Sequence, residues 1–400
     1  MLGASSVIAG ALAMKSAPPL GALLLSHTAG AEAVKSFNEL YLAIVWTVLL
    51  SFSGFQPVLL QNSKSRLVAG TSESTADSLS AAVLVVVFLL SVAVGLADAL
   101  VFRTTDQIFE RVSTSAIYAL FTAGTTIANA RGHNAEVMAA QFVFLIVFIC
   151  GLSATVSVAP TGPGAATWLA VACIAGMSVI VSRHRQNIRA SVQNLLPNLI
   201  TLSGTRYLSS VFPYFLFSIS STGLTFLFLR WIATKYATGD FNNTMLAYQV
   251  FGLLTFVPSS LVAFTVPELT TASSSENWGR NFRLPLMYLV AVLPFSLLAA
   301  CLFRFVLILF GYAEPRTLVE PALIILTAIP ASILAGLMQL SVAERLPWLP
   351  LRASAIANSV AIVIIATFGV TSPIMGIVLM TYYCVAVAIS VLHLYSKQFS

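Results

Sequence analysis

Charge is what this sequence has least of. Its 400 residues include 14 acidic and 20 basic side chains, so that only 8% are charged. A soluble domain carries about 25%. So few charges cannot cover a water-facing surface, which excludes a soluble protein with an oily core. Cysteine is scarce too. Cys150, Cys173, Cys301 and Cys384 all fall within long apolar runs, which argues against a disulfide framework and against a thiolate metal site. His27, His133, His184 and His393 share no ligand spacing, so neither a metal nor another cofactor is expected. No Walker A loop, no HExxH and no loop-borne Ser/His/Asp set occurs. Outer loops of about ten residues or fewer leave no room for an acidic catalytic pocket, so an enzyme is not expected. No basic leader precedes the first apolar stretch, and the first positive charge, Lys15, sits inside it. A cleaved signal peptide is therefore not expected. The formal charge of +6 reads as loop charge rather than a nucleic-acid surface.

What is present is long apolar runs. They are apolar on nearly every face, as in residues 81–94 and 142–150. Lipid offers no partner for a free backbone group, so such runs span as helices. The short alternating segments of an outer-membrane barrel are missing. The expected fold is all-α and polytopic, with about twelve transmembrane helices of roughly 20 residues each. The first six spans cover 3–27, 38–61, 78–101, 112–131, 137–157 and 164–182. The second six cover 207–234, 243–267, 282–311, 318–342, 348–369 and 373–396.

Lysine and arginine in short loops set orientation. Lys64, Arg66, Arg131, Arg183, Arg185, Arg189, Arg206, Arg280, Arg283, Arg345, Arg352 and Lys397 lie on one side, against Lys35, Arg103, Arg111, Lys235 and Arg316 on the other. That excess predicts a multi-pass protein of the cytoplasmic membrane with both termini inside. The largest basic loop, 184–206, falls midway. An offset of about 204 residues carries Phe37-Asn38 onto Phe241-Asn242, Leu49-Leu50 onto Leu253-Leu254 and Phe52 onto Phe256. Two pseudo-symmetric six-helix bundles follow, 1–190 and 191–400, repeated in parallel. This architecture suits a transporter that alternates access across the membrane.

A charge inside a span is costly and marks a pathway or a partner. Lys15 lies near the middle of span one, beside Pro18-Pro19, where a bend or break is expected. It is the leading candidate for binding an anion. Arg230, close to the outer end of span seven, is a second; for both the plainer reading is snorkelling to a headgroup, the more so for Arg230. Gln56 and Gln249 are candidates for hydrogen bonds to sugar hydroxyls, or else for holding helices together. Asp98 is a candidate for ion coupling, against a plainer role, shared with Arg304, at the membrane interface. Asn38 and Asn242 read as caps or loop residues. Tyr207, Tyr214, Tyr382 and Tyr383 read as interfacial aromatics.

Several segments resemble the polysaccharide flippases of the multidrug/oligosaccharidyl-lipid/polysaccharide exporter superfamily. They are Tyr248-Gln249-Val250-Phe251, Val257-Pro258, the turn Pro267-Glu268-Leu269-Thr270, Ile308-Leu309-Phe310-Gly311-Tyr312, Met338-Gln339-Leu340 and Met375-Gly376-Ile377-Val378. The chain departs from that pattern in lacking a basic amphipathic stretch before span one and in keeping only Arg230 of an aspartate–arginine pair. Val378 also stands where alanine is usual. The resemblance implies a flippase of the Wzx type, moving a polyprenyl-pyrophosphate-linked oligosaccharide to the outer leaflet for surface polysaccharide or lipopolysaccharide (O-antigen) synthesis. Its partners would be membrane lipid, the lipid-linked oligosaccharide, and a polysaccharide polymerase and chain-length regulator, with no nucleic acid. Lys15 and Arg230 would meet the pyrophosphate. The alternative is a multidrug or small-molecule exporter of the same superfamily, although cationic drugs would favour acids where this chain has bases.

Overall fold

A computed structural model describes residues 2–57, 73–101, 108–156, 162–183, 205–220, 236–256, 283–312, 318–344, 348–369 and 374–398, with single positions between them that include Thr225, Leu229, Arg230, Ala233, Pro258, 260–262, Thr265 and Leu346. The described chain is helical, and the apolar runs explain why. The helices are α1 (Leu2–Thr28), α2 (Ala31–Phe52), α3 (Glu73–Val101), α4 (Ile108–Ala130), α5 (Asn134–Val156), α6 (Gly162–Arg183) and α7 (Thr205–Ser218). They continue with α8 (Thr238–Leu254), α9 (Arg283–Leu309), α10 (Val319–Leu326), α11 (Ala328–Ala343), α12 (Trp348–Phe368) and α13 (Ile374–Gln398). Among the described residues, nine helical stretches are long and apolar enough to cross a membrane. One of them, residues 319–343, is α10 and α11 joined at Thr327. Pro330 sits in the first turn of α11, where its missing N–H would have lacked a helical partner anyway.

Side-chain exposure inverts the soluble pattern. On α9, Leu286, Met287, Val290, Phe295, Leu298, Phe305 and Ile308 are exposed, while Tyr288, Ser296 and Phe303 are buried. A water-soluble protein does not present an apolar face of that extent. In lipid it carries no cost.

By their contacts the residues gather into two compact units. Unit 1 holds residues 1–17 and 40–219. Its centre is aromatic. Phe144 stacks on Phe121 with ring centres 5.3 Å apart, and Tyr118 meets Phe144 edge-on at 6.1 Å. Small residues let its helices close up. The Trp168 ring of α6 lies directly over Gly151 of α5, and Phe121 over Gly176. Gly10 of α1 is pressed on Met138 and Gln141 of α5, and Ala13 and Ala17 bury the same helical face.

Unit 2 holds residues 18–39 and 220–400. Its close packings include α12 with α13, α9 with α11, and α10 with both α8 and α13. Gly376 of α13 fits against Leu323 and the Glu320 carbonyl of α10. α9 ends at Gly311, whose φ of +65° is left-handed. There the Gly311 and Tyr312 amides return to the Ile308 and Leu307 carbonyls, each at 3.0 Å. Only glycine takes that conformation without strain, which accounts for its place in the Phe310-Gly311 motif.

The break expected at Pro18-Pro19 is absent, since α1 runs helically through both. Proline removes one amide donor but permits helical φ. The Met14 and Lys15 carbonyls simply lose their usual amide partners. The border between the two units nevertheless falls at Ala17/Pro18.

Candidate functional site

Lys15 is the fourteenth of 27 residues in α1. It lies on the face opposite Gly10, Ala13 and Ala17, turned away from the packed interior of unit 1. Its side chain is exposed. No described carboxylate pairs with it. A lysine at that depth in a membrane needs water or an anion.

Arg230 is placed differently. It is buried, and Nη1 donates to the Glu39 carbonyl at 3.4 Å within unit 2. Gln56, near the end of the described part of span two, is half-buried. Asp98 is buried in α3, 6% exposed, whereas Arg304 on α9 is exposed.

Gln249 belongs to a chain of amides within unit 2. Its Nε2 donates to Asn38 Oδ1 at 2.9 Å, and Asn38 Nδ2 donates to Asn242 Oδ1 at 3.3 Å. Asn242 Nδ2 then donates to the Ala31 carbonyl at 3.0 Å. Asn38 and Asn242 are thus buried mid-helix groups that join α2 to α8, not caps or loop residues. They are also the residues matched by the 204-residue offset, and they bond to one another.

Two further polar clusters lie in unit 2. Gln339 of α11 accepts from Tyr288 OH at 3.0 Å and Thr265 Oγ1 at 2.5 Å, and donates to the Pro258 carbonyl at 2.8 Å. Ser354 of α12 bonds Tyr382 OH at 2.7 Å and Ser220 Oγ at 2.8 Å, while Asn358 reaches Ser220 as well. Tyr382 is therefore an inward hydrogen-bonding residue and Tyr214 a buried one, not interfacial aromatics. Tyr383 is half-exposed beside Tyr382, with ring centres 5.1 Å apart. Sequence reading marked Gln339 only as part of a motif and passed over Ser354 and Asn358. Their one signal was a polar residue in mid-span. The Tyr207 side chain, the Pro267 turn and residues 184–204 of the basic loop lie outside the described positions.

Among the described residues no group of three His, Cys, Asp or Glu side chains is placed to hold a metal.

No family model matches the sequence, and no curated protein matches it. Solved structures do match in fold. The chain is similar to a mutant of the Vibrio cholerae MATE transporter VcmN, with TM-score 0.68 at 12% identity over 100% of this chain and 96% of that one. It is similar to the MATE multidrug transporter DinF-BH, with TM-score 0.65 at 15% identity over 98% and 94%. It is also similar to a MOP superfamily transporter from Pyrococcus furiosus described as having a binding pocket of reversed polarity, with TM-score 0.65 at 12% identity over 97% and 92%. The chain shares the fold of these transporters along its whole length.

Proposed function

We propose that this chain is a membrane transporter of the MATE fold that exports, by alternating access, an organic molecule bearing a negative charge. Its repeats would be 1–190 and 191–400, in the cytoplasmic membrane with both termini inside. The observation that supports this is Lys15, an accessible cation halfway along α1 with no described carboxylate beside it. An ammonium within an apolar span attracts carboxylate, sulfonate or phosphate. Arg230 would be a second residue for the anion. Gln56 and Gln249 would meet neutral polar parts of the cargo, and Asp98 would take part in ion coupling. The Pyrococcus neighbour, described as having a binding pocket of reversed polarity that suggests a different function, is a precedent for a changed pocket on this fold.

Several neighbours are described as multidrug transporters, which favours a small-molecule exporter over a glycolipid flippase. The flippase reading keeps one observation in its favour, the motif segments at α8, α9 and α13. On that reading the cargo is a polyprenyl-pyrophosphate-linked oligosaccharide, and a polymerase and a chain-length regulator are the partners.

Proteoliposomes holding the purified chain separate the readings. They are tested with carboxyfluorescein, with ethidium and with a fluorescent polyprenyl-pyrophosphate disaccharide. Movement of carboxyfluorescein that is lost in Lys15→Ala supports the anion exporter. Movement of the glycolipid alone moves the flippase to first place. Movement of ethidium, unaltered in Lys15→Ala, refutes the role given to Lys15.

A further inference from the structure

The amide chain of unit 2 has a direction, and one group fixes it. The Ala31 carbonyl can only accept, so the Asn242 amide must face it with Nδ2. That turns Asn242 Oδ1 to Asn38, which must then present Nδ2. Asn38 Oδ1 consequently faces Gln249, which must present Nε2. No amide in the series can be flipped alone. The group left over is Gln249 Oε1, which is buried and has no described partner.

Three features make this oxygen more than a remainder. First, the three amides are aligned head to tail, so each polarises the next and the negative end of the series is Gln249 Oε1. Second, Gln249 is the twelfth of 17 residues in α8 and is 6% exposed. An acceptor so enclosed is costly to leave unfilled. Third, holding α8 to α2 requires only the Nε2 bond, so the helix contact leaves Oε1 unused. The Arg230 guanidinium stands on the Glu39 carbonyl, next along the backbone from Asn38. Its fixed positive charge disfavours an ammonium or metal ion nearby and favours a neutral donor.

We propose that Gln249 Oε1 accepts a hydrogen bond from a hydroxyl of the transported molecule, so that unit 2 selects a hydroxylated cargo. This rests on the transport reading above and narrows it. Within unit 2, Gln249 is backed by Asn38 and Asn242.

The test compares two probes with one carboxylate and one nitrophenyl ring each, nitrophenyl glucuronide with hydroxyls and nitrophenoxyacetate without. Binding to the purified full chain in detergent is measured by calorimetry. The wild type should favour the glucuronide by about threefold to tenfold, the worth of one net neutral hydrogen bond. Gln249→Met should remove that preference and leave nitrophenoxyacetate unchanged, whereas Lys15→Ala should weaken both probes alike. Should the methionine variant fail to accumulate, Gln249→Asn decides in the same way, because it withdraws the oxygen by one methylene. A preference retained in the folded variant overturns the proposal and leaves water on Oε1. Equal binding of both probes by wild type overturns it too, but leaves the anion reading standing. Binding of neither probe overthrows the anion reading, and this inference with it.

Discussion

Replacing Gln339 by leucine should destabilise unit 2 by a calculable amount. Gln339 is 3% exposed and bonds three groups: Tyr288 OH, Thr265 Oγ1 and the Pro258 carbonyl. Thr265 has a second outlet, the Leu261 carbonyl at 3.1 Å, so its hydroxyl is not stranded. The Tyr288 hydroxyl and the Pro258 carbonyl each lose their bond to Gln339. In membrane proteins a side-chain hydrogen bond is worth about 0.6 kcal/mol on average and about 1.7 at most. Two lost bonds therefore cost about 1–3 kcal/mol, offset little by a leucine of similar size. The assay is reversible unfolding in mixed micelles of increasing denaturing-detergent content, followed by circular dichroism. Tyr288→Phe and the double variant complete a thermodynamic cycle. A loss below about 0.3 kcal/mol in Gln339→Leu, or zero coupling in the cycle, would refute the reasoning, since either means that the buried Tyr288–Gln339 bond carries no free energy.

Other perturbations follow from the same contacts. Gly311→Val forces a β-branched residue to φ +65° and should lower stability by about 1–2 kcal/mol, read in the same unfolding assay. Gly151→Val drives a methyl into the Trp168 ring, so the α5–α6 packing should loosen and the Trp168 fluorescence should shift in a background without the other tryptophans. Asn38→Leu and Asn242→Leu should each destabilise the α2–α8 contact, and together by less than the sum, because they remove one shared bond. Lys15→Glu should abolish carboxyfluorescein movement as Lys15→Ala does, since it reverses the charge rather than removing it. An initial rate in proteoliposomes equal to that of the wild type would remove Lys15 from the site.

Much of the fold was legible without coordinates. Span boundaries agree with the helices to within a few residues at α1, α3, α5, α6, α9, α12 and α13. Lipid enforces that legibility, because a crossing segment must be both long and apolar. Span two was set too late. Its helix starts at Ala31 rather than at 38, because Glu32 and Lys35 occupy a first turn that hydropathy alone assigns to a loop. The roles of polar residues were far less legible. Gln249, Gln339 and Tyr382 are each a polar group in an apolar run, and nothing in the run says what lies across from it.

The sequence by itself determined that this is a polytopic helical membrane protein, because hydrophobic length and the scarcity of charge act locally along the chain. It also singled out Lys15, because a charge in a span is conspicuous by its cost. Only the tertiary structure decided that Asn38 meets Asn242, that residues 18–39 belong with unit 2, and that Lys15 is exposed while Arg230 is buried on a carbonyl. Those facts depend on which helix faces stand opposite one another. Between helices that are apolar all round, periodicity gives no preferred face, and packing of small residues and pairing of amides makes the choice.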